Sequence, residues 1–321
     1  MNQFGEFSTA LTSVAVKYSN DKYMVNEIAP QTVVGSSSFK YLQWDKSNSL
    51  SVPETAISRT GKANEVDFSA KEISASVSDH AISHLVSNKD IQEFEDAYNG
   101  VRDSGLLLAD VVESLVGTMN LRKELEAANT IQDASKYSAD NVKTYSATDS
   151  WLVDTSNPMD DIEDAITDGV VPYNRMWFAL DAWVRFRRHP KVIARFYSGA
   201  PVSAGITTDM VARELGLEKI VLGNTKVISS LPGKTATTKR VWSNSAGLYL
   251  FEQPSMASTA RTFAFDAYLP NQGQKLAVYR KDVAPTEAGT RGGVRLAVAE
   301  DSVVVIAAPD FGYLFKSVLA A

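Results

Sequence analysis

Residues 104–132 read SGLLLADVVESLVGTMNLRKELEAANTIQ. Leu108, Val111, Val112, Leu115, Val116 and Met119 recur three and four positions apart, which is one face of an α-helix. Leu125, Ala128 and Ile131 continue an apolar stripe beyond a charged interval. Asp103 or Ser104 offers the short oxygen-bearing side chain that an N-cap requires. Gly105 and Gly117 each weaken a helix by up to ~1 kcal/mol relative to alanine, and no proline interrupts the run. A helix over the whole stretch would be on the order of 40 Å long at ~1.5 Å per residue. The average globular helix has ~11–12 residues, so this one is long enough to be the floor on which other elements pack. Periodicity shows burial and not purpose, and a long core helix explains it equally.

Upstream, Tyr23 to Val34 leans towards β-structure, with Pro30 placed at an edge or bend. Met1 to Asp21 reads as an arm with little core of its own. Phe39 and Tyr41 open an extended segment, KYLQWDK. Residues 45–64, DKSNSLSVPETAISRTGKAN, keep no useful period. Residues 66–77, VDFSAKEISASV, alternate again, with Phe68, Ile73, Ala75 and Val77 on one face. Two strands joined by a long protruding hairpin, roughly residues 38 to 76, follow from this pattern. A structureless loop of such length is unusual in a compact domain, so it is either disordered or ordered from outside the subunit. Tyr41, Trp44 and Phe68 are costly to leave exposed, which favours a binding arm over a solvated linker.

Between the hairpin and the helix, His80 and His84 stand four apart in SDHAISHLV, with no third ligand at metal-binding spacing. DIQEFEDAY, residues 90–98, is a short acidic helix. Downstream, Asp133 to Asp149 is polar and marks a candidate boundary. Asn157-Pro158-Met159-Asp160-Asp161 starts a helix, with Asn as N-cap, Pro at N1 and carboxylates at the positive end of the dipole; Gly169 ends it. Asn174 to Arg188 reads as another helix, broken at His189-Pro190; Pro190 can open the next, PKVIARFY, and Thr207 or Thr208 caps a fourth. Arg185, Arg187, Arg188 and Lys191 form a basic cluster best read as intersubunit or intradomain ion pairs. Lys219 to Ile228 is a strand. Pro232-Gly233-Lys234-Thr235 lacks the earlier glycine of a phosphate loop, since position 228 is Ile. Residues 247–253, 262–268 and 275–281 look like strands, with a turn at Pro270 to Gly273 between the last two. Val294 to Ala308 is the most β-rich run.

The chain has 321 residues, no cysteine, three histidines and a net charge of −6. Disulfides, thiolate metal sites and cysteine nucleophiles are excluded. General acid–base chemistry has few candidates. A chain this acidic does not grip nucleic acid, though it can lie beside it. No signal peptide opens it, and no uninterrupted apolar run approaches ~18 residues.

Taken in order, the segments resemble the major capsid proteins of tailed bacteriophages. The residues carrying the resemblance are SFKYLQWDK, RTGKANEVDF, LRKELEAA, TSNPMDDIEDAI, RRHPKV, ARELGLEKIVLGNTKV and APDFGYLFKSV. The resemblance implies an α+β capsid fold: an N-terminal arm (1–36), an extended loop (37–72), a peripheral domain (73–139 with 286–307) holding a spine helix at 104–132, and an axial domain (140–285 with 308–321). It implies a structural, non-enzymatic protein that self-assembles through hexamers and pentamers into an icosahedral head around the phage genome, without specific DNA binding and without a membrane. Assembly is expected in the host cytoplasm, with a separate scaffolding protein, a portal and room for a decoration protein. No cofactor, metal or catalytic residue is expected. The loop residues Trp44, Lys46, Arg59, Lys62, Glu65 and Asp67 are the expected self-assembly contacts. The alternatives are the shell of a cellular nanocompartment and a metal-dependent α/β hydrolase using the Asp160–Asp164 cluster.

Overall fold

The structure, a computed structural model, describes residues 6–7, 23–44, 52, 55–57, 61–62, 65, 70–97, 104–197, 205–230, 233–253, 261–285 and 292–321. In chain order, β1 (Glu6–Phe7) precedes a one-turn helix α1 (Val25–Ile28) and β2 (Gln31–Val33). Then come β3 (Ser38–Trp44), β4 (Ala70–Ser76), β5 (Ser78–Ser87), α2 (Asn88–Ala97) and α3 (Ser104–Ile131). The middle of the chain contributes β6 (Val142–Thr144), α4 (Pro158–Asp168), β7 (Arg175–Ala179), α5 (Leu180–Phe186), α6 (Pro190–Phe196) and α7 (Thr208–Glu214). It continues with β8 (Lys219–Gly223), β9 (Lys226–Ile228), β10 (Thr238–Arg240) and β11 (Ser245–Tyr249). The last part holds β12 (Ala264–Leu269), β13 (Leu276–Val283), β14 (Gly293–Ile306) and β15 (Gly312–Lys316).

Two larger sheets result. One runs β1-β13-β14-β12-β2, with β5 also on β14; the other runs β6-β15-β11-β7-β8. The 14-residue β14 is the axis of the first sheet. Its residues 293–302 pair with β5 on one edge. On the opposite edge, residues 293–300 pair with β13 and 301–306 with β12, both antiparallel. β12 and β13 therefore run in the same direction as one strand interrupted between Leu269 and Leu276. The interruption is a tight turn in which Asn271 and Gln274 exchange backbone hydrogen bonds of 2.7 and 2.9 Å. Gln272 and Gly273 carry φ of 51° and 79°, the left-handed pair that such a two-residue turn demands. The turn expected at 270–273 is thus present, but the chain resumes its course beyond it.

The expected helix is a single element, α3. By length and composition it could cross a membrane, but it lies on the first sheet instead. Leu108, Val112, Val116 and Met119 are buried against Val86, Leu276, Val278, Leu296 and Val298. Each fully buried side chain of this size contributes ~1.5–3 kcal/mol. The stripe does not continue through Leu125, which is exposed. Steps of four from Met119 lead instead to Lys123 and Ala127, and the neighbouring row leads to Glu124 and Ala128; all four are buried. The charged interval is thus the centre of the packed face.

Lys123 turns towards the first sheet. Its Nζ bonds Asp266 of β12 and, at 2.9 Å, Glu300 of β14; Lys275, from the end of the turn, also bonds Asp266. Burial opposes the charged form of Glu300, but Lys123 and Lys275 outweigh it and hold its carboxyl below the ordinary range. Glu124, about 100° further round the helix, reaches other partners. Its carboxylate accepts from the backbone N–H groups of Met24 and Val25, both at 3.0 Å, and from Trp242 Nε1 at 2.6 Å. It thereby satisfies the first free N–H groups of α1. Burial pushes its carboxyl up, against the pull of those hydrogen bonds. Within α1, Glu27 pairs with Lys219 of β8 at 2.8 Å, and past α1 the strand β2 adds in parallel to β12. Residues 24–33 thus bridge both sheets.

The second core gathers Trp151, Trp177, Phe178, Phe186, Trp242, Phe263 and Phe315 around the second sheet. Here the expected helix 174–188 is corrected. Arg175–Ala179 is a sheet strand between β11 and β8, and only Leu180–Phe186 is helical. Met176, Trp177, Phe178 and Ala179 are buried on both faces of the sheet, so the run has no period to tell strand from helix. The expected strand 219–228 is two strands, β8 and β9. Tyr23–Val34 holds a helical turn before its strand. Asn157 sits at the N-cap of α4 without a side-chain cap bond, and Gly169 closes that helix as expected.

Opposite pH dependences are expected for the two buried carboxylates. Glu300, held below its ordinary 4.5, contributes stability above pH 4.5 that is lost as pH falls through its lower folded value. In urea titrations, Glu300→Gln should be less stable than wild type by about 3–5 kcal/mol at pH 7, because Lys123 loses a buried partner. That gap should narrow below pH 4.5. Glu124, raised above 4.5, contributes stability that is present below pH 4.5 and lost as pH rises through its folded value. The gap between wild type and Glu124→Gln should therefore widen as pH falls from 7 to 4.5, with hydrogen-exchange protection of residues 24–29 reduced. Parallel pH profiles for the two variants would contradict this assignment.

Candidate assembly surface

The hairpin predicted from alternation forms as β3 and β4, paired antiparallel from Ser38↔Ser76 to Trp44↔Ala70. Period-two alternation turns Phe39, Tyr41, Ile73 and Ala75 inward and Lys40, Leu42, Glu72 and Ser74 outward. The Tyr41 ring stands edge-on to Phe265 of β12 at 5.5 Å, and Phe39 lies 6.2 Å from the same ring. Tyr41 donates its hydroxyl to Ile306 O at 3.4 Å, and partial burial raises the pKa of that hydroxyl. Lys40 and Glu72 pair at 3.0 Å across the outer face. The base of the ribbon is thus seated on the subunit's own sheet. This revises the argument from aromatic cost, because Tyr41 is sheltered without any partner subunit. Among the described residues of the hairpin, the exposed large apolar ones are Leu42, at 59% exposure, and Val52 and Ile57 within the polar run, at 93% and 55%. Val52 and Ile57 are not among the expected contacts; their signal is an isolated apolar residue in a stretch otherwise rich in Ser, Thr and charge.

Of the six expected assembly residues, the structure brings two together. Lys62 and Glu65 pair at 2.7 Å, both more than four-fifths exposed. Trp44 ends β3 opposite Ala70. Its side chain, and Lys46, Arg59, Asp67 and Phe68, lie outside the described residues.

The acidic cluster on α4 serves the fold. Asp161 accepts from Lys143 at 2.6 Å, Tyr145 OH at 2.8 Å and Trp151 Nε1 at 3.3 Å. Glu163 pairs with Arg195, which also holds Glu214 of α7. Asp160 is bonded by Asn157, and Asp164 is exposed. Among the described residues, no three His, Asp or Glu side chains are grouped to hold a metal ion. His80 and His84 lie on β5; burial and the nearby Arg122 lower the pKa of His80. In the basic cluster, Arg185 binds Trp151 O, Leu152 O and Asp154, and Lys191 binds Thr155 O. Both resolve as contacts within the subunit. A cavity of about 230 Å³ opens beside Lys123, Lys275 and Glu300, whose charges are already matched to one another.

The chain matches no protein-family model. It is 28% identical over 312 residues to the major capsid protein of Pseudomonas phage JBD67, across 97% of this chain and 96% of that protein. A solved phage-related protein of Bordetella bronchiseptica RB50 is similar with a TM-score of 0.73 at 21% identity, covering 98% of each chain. The capsid of cyanophage P-SCSP1u is similar with a TM-score of 0.55 at 12% identity, over 92% of this chain and 86% of that one. Along nearly its whole length, from the seated hairpin to the terminal strand, the chain is a homologue of a phage major capsid protein and carries the phage capsid fold.

Proposed function

We propose that this chain is the shell subunit of a phage head, assembling with copies of itself into hexamers and pentamers of an icosahedral capsid. The observation that carries the reading is likeness to a phage major capsid protein over 97% of the chain, on a capsid fold. The role is structural rather than enzymatic, and the clustered carboxylates of α4 are used in packing. We assign residues 1–36 to an arm, 37–72 to the loop that engages a neighbour, and α3 to the spine of a peripheral portion. Residues from 140 up to β12, with 308–321, form the axial portion. The sequence boundary at 285 is better drawn before β12, because β12 and β13 share a sheet with β14. A net charge of −6 suits a wall that encloses DNA without binding it. A separate scaffolding protein, a portal and a decoration protein are the proposed partners, and assembly is placed in the host cytoplasm.

Negative-stain microscopy of the purified protein tests the reading. Shells, rings or tubes are expected. A uniform monomer at all concentrations and salts would overturn it, and shells recovered around a cargo enzyme instead of DNA would make it a nanocompartment.

Trp44, Lys46, Arg59, Lys62, Glu65 and Asp67 are proposed to meet a neighbouring subunit. A solvated pair such as Lys62–Glu65 does little for the lone subunit, but a weak contact repeated at every copy sums over a closed shell. Arg59→Glu with Lys62→Glu should leave circular dichroism and melting unchanged, since no core residue is altered. Light scattering should show assembly abolished or confined to high salt, as like charges then meet across the interface. Normal shells at low salt from the double variant would remove the hairpin from the interface.

A further inference from the structure

Among the described residues, β5 is a sheet edge that the fold leaves open. Asn88 N donates to Gly292 O at 3.3 Å, one step beyond the pair Ser87↔Gly293. By the alternation of antiparallel ladders, the even-numbered residues of β5 exchange hydrogen bonds with β14. The N–H and C=O groups of Asp79, Ala81, Ser83 and Leu85 therefore face away from β14. The next N–H in that series, Ser87, is occupied by the Asp90 carboxylate at 3.3 Å. Among the described residues, nothing pairs with the other four.

The other end strands of the two larger sheets are managed differently. β6 and β2 have three residues each and β1 has two. β8 opens on Lys219 and has α7 packed on it. β5 has ten residues, SDHAISHLVS, with no lysine, proline or glycine, and its only acid is near its start. Chains ordinarily blunt a long edge with such residues, because an open ladder recruits another strand. The side chains nearest the middle of the open edge are small, Ala81 and Ser83, and both are exposed.

We propose that β5 pairs antiparallel with β5 of a second copy, about a two-fold axis at Ile82. The inference rests on the shell reading, since icosahedral shells contain two-fold axes. An edge strand is self-complementary under such an axis, so one isologous contact satisfies both copies. In this register Ala81 faces Ser83 of the second copy and Asp79 faces Leu85, so no like charges oppose each other among the hydrogen-bonded pairs. Ile82 falls opposite itself in a non-hydrogen-bonded pair, where Cα atoms approach to ~4.5 Å.

Two variants test this in the full chain. Ser83→Pro removes one outward N–H and no bond to β14. It should melt near wild type, while the concentration needed for assembly rises tenfold or more. The chain has no cysteine, so Ile82→Cys supplies a single thiol. Under mild oxidation it should give disulfide-linked dimers inside particles, and Ser83→Pro should abolish that cross-link in the double variant. If Ser83→Pro unfolds, Ala81→Lys with Ser83→Lys guards the same edge and decides the matter. Ile82→Cys particles that form no cross-link under oxidation, or normal assembly of a folded edge variant, would overturn the two-fold pairing while leaving the shell reading intact. Wild-type protein that forms no particles would overturn both.

Discussion

Two adjacent charged residues on one helix hold the subunit together. Lys123 and Glu124 are both buried, and, about 100° apart around α3, they reach different partners. The lysine ties the helix to β12 and β14 of the first sheet, and the glutamate ties it to α1 and, through Trp242, to the region of the second sheet. An ion buried this deeply is tolerated only when its partners are in place. Those partners come from residues 24–25, 242, 266 and 300. The pair is therefore satisfied only when distant parts of the chain have met correctly. That makes it a device for specifying the fold rather than a large source of net stability.

The same logic explains what could and could not be read from the sequence. α3, the β3–β4 hairpin and β14 announce themselves by period, because each has one buried face or a long apolar run. In the sequence Lys123 and Glu124 stand only as a charged interval between apolar stretches, and charge normally marks the outside. Only continuation of the four-residue steps from Met119 would have betrayed them. Leu125 misled for the converse reason. The strand Arg175–Ala179 was hidden because burial on both faces erases alternation, and the helix-like residues that follow it lent it a false period. The hairpin contacts were legible only in part. Lys62 and Glu65 lie together, whereas a residue that meets a neighbour has no intrachain partner by which to recognise it.

The hairpin itself joins local and global roles. Its inner face rests on Phe265 and Ile306, at the end of β14 that also pairs with β12. β4 then continues through Val77 into β5, which runs along the rest of β14. Ribbon and sheet are one continuous strip, so the direction in which the ribbon leaves the subunit is set by the sheet. A shell subunit needs such rigidity, since an angular error at the base grows with distance towards the tip.

The seat of the hairpin also sets a clock on synthesis. Tyr41 bonds a carbonyl 265 positions later, and the only described ladder partner of β5 is the late strand β14. A growing chain emits the hairpin early and its seat almost last. At ~5–20 residues per second, the hairpin waits tens of seconds for β14. No nascent chain can then present a correctly aimed hairpin, and premature termination products lack the strand that would aim it. Joining a shell is thereby reserved for finished subunits, by topology alone.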